Sequence, residues 1–135
     1  MDKRVRINLA GYRLIAGHPC LDFVNTLGGN RAGETKEYLS TYADLVTWGH
    51  QVGFLSRSET LALMKRAGRT PEAATEVLDR ARTLREAIYR LVTGSLYRRS
   101  PRQEDLFLVS REAAFAWDER ESLFQRMDFL GPGLK

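Results

Sequence analysis

Cysteine occurs once in 135 residues, at Cys20. An internal disulfide is therefore excluded, and a reducing compartment is the expected setting. Histidine occurs twice, at His18 and His50. Together with a single thiol, these cannot furnish the four nitrogen or sulfur ligands of a structural zinc site, so no metal and no cofactor are expected. No run of about 18 apolar residues exists to span a membrane. The opening stretch MDKRVRINLAGYRLIAG is too often broken by charge to be a secretion signal, which makes the cytoplasm the expected location. The chain has no G-x-S-x-G elbow and no H-E-x-x-H pair, and its glycine-rich LGGNRAG follows an expected helix instead of opening one. No enzymatic activity is expected.

What the chain does contain is ordinary for a globular protein. Hydrophobic residues make up 43% and charged residues 28%. The length suits a single compact domain with one core. A net charge of +4 and a pI near 9.5 are compatible with nucleic acid but do not require it, because binding needs the charge gathered on one face.

The pattern is mainly α with a little β at the front. VRINL (5–9) alternates apolar and polar, and YRLIAG (12–17) follows a turn, giving a short N-terminal hairpin or strand. About five helices follow. Pro19 opens the first, with Cys20, Leu21, Val24 and Leu27 on one face, Asp22, Asn25 and Thr26 on the other, and Gly28–Gly29 as its stop. NRAGETKEY reads as a polar connection. Thr41 with Asp44 opens a helix that stops at Gly53, and Ser56 with Glu59 is a capping box for the next. Thr70–Pro71 starts a long helix to about Tyr97. Ser100–Pro101 with Gln103 reads as another capping box, for a helix to about Trp117. Residues 1–117 thus form the helical domain, and 118–135 a C-terminal tail with no clear pattern.

Three stretches, LIAGHPCLDFVNTLGGNR, YLSTYADLVTWGHQVGFLS and RARTLREAIYRLV, carry a resemblance. Its most specific residues are Gly17-His18-Pro19, Leu21 through Thr26, Arg31, and Tyr42-Ala43-Asp44-Leu45 with Trp48. From about Tyr12 to Trp117 the chain resembles the ABATE domain of stress-induced bacterial transcription regulators. Members typically continue into a C-terminal CGNR zinc finger presumed to touch DNA, and this sequence carries no such module. The resemblance therefore implies an effector-sensing or dimerising half of a stress-response regulator, whose DNA contact is indirect.

Two readings of GHPCLDFVNT stand side by side. In one, His18, Asp22, Asn25 and Thr26 face a small-molecule effector, with Arg31 or Trp48 closing the pocket. In the other, the short polar residues cap helix and strand ends through neighbouring amides, and Trp48 belongs to a core stripe. The basic residues also read two ways. Glu76–Arg80, Arg82–Glu86, Glu86–Arg90 and Asp79–Arg82 have the spacing of ion pairs on a solvated helix surface. Arg98, Arg99 and Arg102 form a short patch without such partners and, with the basic long helix, are the place for direct DNA binding or a protein interaction. Late apolar residues, among them Phe107, Val109, Phe115 and Trp117, exceed what a small helical core absorbs. A homodimer or another partner protein is the expected cover.

Overall fold

The computed structural model describes residues 7–8, 12–13 and 18–129, with side chains from 18 to 119. Its elements are β1 (Ile7–Asn8), β2 (Tyr12–Arg13), α1 (Pro19–Val24), β3 (Leu27–Gly29), β4 (Thr35–Glu37), α2 (Tyr42–Gln51), α3 (Arg57–Arg69), α4 (Pro71–Leu96) and α5 (Gln103–Phe129). The expected mainly helical architecture is present, with five helices behind an N-terminal antiparallel hairpin that pairs Ile7 with Arg13 and Asn8 with Tyr12. The remainder of the two expected N-terminal strands, and residues 130–135 of the expected tail, lie outside the described residues. The chain divides into two units, Met1–Glu86 and Ala87–Lys135, and α4 contributes to both.

Local chemistry sets the helix ends as the sequence indicates. The Thr41 hydroxyl accepts from the Asp44 amide at 3.1 Å, while the Asp44 carboxylate accepts from the Thr41 amide at 3.0 Å. Ser56 and Glu59 repeat the arrangement for α3. Pro71 occupies the first turn of α4, where its missing amide hydrogen is not needed, and the Thr70 carbonyl accepts from Ala74. α2 stops at Gly53, whose φ of +89° suits glycine.

A second hairpin stands where the sequence reads as a helix end and a polar connection. α1 stops at Val24 with Asn25 as its C-cap, so Leu27 leaves the helix and enters β3. β3 pairs antiparallel with β4, Leu27 opposite Glu37 and Gly29 opposite Thr35. The turn is built on Asn30, whose side-chain oxygen accepts from the Ala32 amide and whose carbonyl accepts from Gly33. Gly29 permits the close pass. It has φ +79°, and a Cβ there would lie 2.5 Å from the Glu34 carbonyl oxygen.

Other local differences follow from the same geometry. Leu21 is exposed and Asp22 is buried, the reverse of the expectation at those two positions, while Val24 is buried and Asn25 exposed as expected. α5 begins at Gln103, with the Arg102 carbonyl accepting from Leu106, so Ser100–Pro101 falls in the irregular link before it. The helix then continues past Trp117 to Phe129. In the first unit, Leu39, Trp48 and Leu78 form a buried cluster, with Phe23, Tyr38, Leu45 and Val52 packed against it.

Candidate functional site

α4 turns Arg82, Arg85 and Glu86 toward the β3–β4 hairpin, and there the first unit gathers its charge. Arg85 is the centre, with only 3% of its side chain exposed. Its Nη1 and Nη2 each donate to a Glu37 carboxylate oxygen at 2.7 Å. Its Nε donates to Glu86 at 2.8 Å, and Nη1 also reaches the Thr26 hydroxyl at 3.3 Å. Arg31 donates to the second Glu86 oxygen and, at 3.1 Å, to the Val24 carbonyl at the end of α1. Arg82 donates to the Leu39 carbonyl at 2.8 and 2.6 Å and to that of Ser40 at 3.0 Å. The Leu39 amide in turn donates to Glu37. The network binds α1, the hairpin and α4 through groups that demand fixed geometry.

Burial, the largest single influence on Glu37, pushes its carboxyl up. The Arg85 hydrogen bond, the Leu39 amide and the charges of Arg85 and Arg82 outweigh it and leave Glu37 below its ordinary 4.5. Burial likewise pulls Arg85 down, and its bonds to Glu37 and Glu86 raise it again, beyond its ordinary value. Both groups are held charged. Of the surface pairs expected on α4, Asp79–Arg82 forms at 4.0 Å. Arg82, Glu86 and Arg90 also take partners from outside α4: the Leu39 and Ser40 carbonyls, Arg31 and Asp105 respectively.

Each residue expected around an effector has its own place in the fold. His18 caps α1, its Nδ1 accepting from the Cys20 amide at 3.1 Å. Thr26 is fully buried and donates to the Phe23 carbonyl at 2.6 Å while facing Arg85. Thr26 and Arg31 therefore belong to the network above. Asp22 is buried in α1, and Asn25 is the exposed C-cap. Trp48, 6% exposed, packs against Phe23 with the rings tilted at 43° and their centres 5.3 Å apart, and meets the edge of the largely exposed Phe54 at 6.1 Å. His50 is exposed, with its Nδ1 2.9 Å from the Leu55 carbonyl.

Two polar atoms stand out against this satisfaction. Trp48 Nε1 and Gln51 Nε2 are buried without a hydrogen-bond partner among the described residues. They lie one helical turn apart on α2, on neighbouring positions of one face. An unpaired buried donor costs about 1–3 kcal/mol. Gln51 and the Glu37–Arg85 pair escaped the sequence reading. The 48 positions between Glu37 and Arg85 hide their pairing, and a lone Gln on a helix carries no signal.

In the second unit, Arg90 forks onto Asp105 at 2.8–3.1 Å. That fork holds the Asp105 carboxyl below its ordinary 3.8, against burial. The patch residues have partners of their own. Arg99 lies over the Tyr97 ring at 5.2 Å, and Arg102 pairs with Glu104. Arg98 is exposed at φ +53°. Among the described residues no group of three or more His, Cys, Asp or Glu is placed to hold a metal ion, and no helix is long and apolar enough to cross a membrane.

Compared with protein families, the chain matches ABATE, described as "Putative stress-induced transcription regulator", over residues 17–124. It belongs to the ABATE family. The matched span takes in α1, both strands of the second hairpin, the charge network and most of α5. Searches of curated proteins and of solved structures returned no match.

Proposed function

We propose that this ABATE chain is the sensing and dimerisation part of a stress-response transcription regulator, acting in the cytoplasm, without catalysis and with DNA contact made indirectly. The observation that carries the sensing role is the pair of buried donors on α2, Trp48 Nε1 and Gln51 Nε2, which have no partner among the described residues. A small molecule bearing a carbonyl, carboxylate or phosphoryl oxygen would satisfy both, and Phe54 is the cover it would displace. Binding there bears on Leu39 and Leu78, which share the cluster with Trp48, and hence on the hairpin that Arg82 and Arg85 clamp. An effector acts only if it prefers one of two packings, and the clamp supplies the rigid alternative.

The test is thermal unfolding in the presence of fractionated small-molecule extract from the source cells. A fraction that raises Tm should lose its effect on Trp48→Phe, which keeps a smaller aromatic ring and deletes the N–H. Leu61→Ala, at an exposed position of α3, should retain the full response. If every fraction leaves Tm unchanged, or Trp48→Phe responds as the parent does, the sensing role is wrong.

Direct DNA contact through Arg98, Arg99 and Arg102 is the second reading, favoured by the exposed arginine held at positive φ. It requires an affinity for duplex DNA that falls steeply as salt rises. Against it, Arg99 and Arg102 already lie on Tyr97 and Glu104.

A further inference from the structure

The second unit leaves a long side of α5 uncovered. Asp105 is buried, and Leu108, Val109 and Glu112 are half-buried, which defines the inward side. Opposite them lie two adjoining rows at i, i+4, i+7, i+11 spacing, all exposed: Phe107, Arg111, Ala114, Asp118, and Leu106, Ser110, Ala113, Trp117. Phe107 is 68% and Trp117 65% exposed, unusual for side chains of that size. The spacing is that of a helix-pairing seam.

We propose that this seam is the interface of a homodimer in which two copies of α5 pack antiparallel about a two-fold axis near Ala114. The proposal rests on the dimerisation part of the function given above and is independent of effector recognition. Charge selects the occupant. Arg111 and Asp118 are exposed and two helical turns apart, too far to pair along their own helix. They stand equally far to either side of the Ala114–Phe115 peptide. Reversing one copy about that point sets each Arg111 level with the other's Asp118, so the two-fold makes the pair twice. An isologous interface needs such a self-complementary surface.

Side-chain size fits the same register. Ala114 at the axis allows close approach of the two backbones. Each Trp117 comes level with position 112 of the other copy, beside Ser110 and Ala113, whose small side chains leave room for an indole. Because α5 extends to Phe129, each Phe107 still lies over the opposing helix.

Sedimentation velocity on the full chain over a wide concentration range tests this. The mass should rise from 15.4 kDa toward twice that value. Asp118→Arg and Arg111→Asp should each weaken the dimer by about tenfold or more, because like charges then face one another twice. The double variant Arg111→Asp/Asp118→Arg should recover near-parental affinity. Both positions are exposed, so circular dichroism should be unchanged throughout. A monomer at every concentration overturns the inference, and so does a dimer that tolerates the single reversals or is not rescued by the double one. Extract-induced stabilisation that depends on Trp48, measured on Asp118→Arg, tells failure of the dimer apart from failure of sensing.

Discussion

Arg85 and Arg90 stand five residues apart on α4, yet they belong to different kinds of interaction. Arg85 exposes 3% of its side chain and is enclosed by Glu37, Glu86 and Thr26. Arg90 exposes 42% and grips the Asp105 carboxylate. Burial changes what each pair does. A buried arginine must be matched on every side, so it dictates where several elements sit. A half-exposed one can exchange its partner for water, so it adds little beyond a local tie. The first unit is thus specified by charge in its interior, and the second has its informative chemistry on its surface.

The largest effect should come from breaking the enclosed centre. Arg85→Met leaves Glu37 and Glu86 without their shared cation and unties α4 from the hairpin. We expect a loss of about 3 kcal/mol, at the low end for a broken buried pair because both carboxylates are partly open to water. Urea unfolding followed by circular dichroism measures it. A loss no greater than that of a typical surface pair would mean the enclosure is not what holds the hairpin.

How much of this was legible beforehand depends on distance along the chain. The capping boxes at Thr41 and Ser56 and the stop at Gly53 could be read because each involves residues within four positions of one another. The β3–β4 hairpin could not. Leu27–Gly29 and Thr35–Glu37 hold glycines and charges that rarely favour strands, and their pairing rests on the Asn30 turn and on Arg85 far downstream. For α4, counting i, i+4 partners assigned Arg82, Glu86 and Arg90 to the surface. The count sees only neighbours on the same helix, and it is blind to the Leu39 and Ser40 carbonyls, to Arg31 and to Asp105, which Arg82, Glu86 and Arg90 respectively meet. At the candidate site, His18, Thr26 and Arg31, expected around an effector, each make hydrogen bonds within the fold. Such bonds, and the lack of a partner for Gln51 Nε2 among the described residues, depend on tertiary packing.

Acid should expose the same contrast more gently. Glu37 and Asp105 are both held below their ordinary values of 4.5 and 3.8. Each therefore binds a proton less readily when folded. The stability each contributes is complete above its ordinary value and is lost as pH falls through the lower folded value. Unfolding free energy should decline below about pH 4.5. Glu37→Gln should flatten that decline by removing one of the titrating groups. An unchanged slope in Glu37→Gln would assign the acid sensitivity to other carboxylates.

In the second unit, Asp105→Asn should lose only about 1 kcal/mol, because Arg90 reaches water when its partner is neutralised. A loss approaching that of Arg85→Met would erase the distinction between the two arginines.

The smallest effect should have the opposite sign. α2 and α4 end in the same way. Gly53 donates to the His50 carbonyl and Phe54 to Gly49, while Arg98 donates to Ser95 and Arg99 to Gly94. In both, the residue after the C-cap adopts the left-handed conformation, at φ +89° and +53°. Glycine enters that conformation freely, whereas a side chain is strained there. Arg98→Gly should therefore raise stability by about 0.5–1 kcal/mol, and Arg98→Ala, which keeps the strain, should not. The pair separates conformation from charge. If alanine stabilises as much as glycine, the arginine was unfavourable through repulsion from Arg99 and Arg102, and its backbone carries no strain worth retaining.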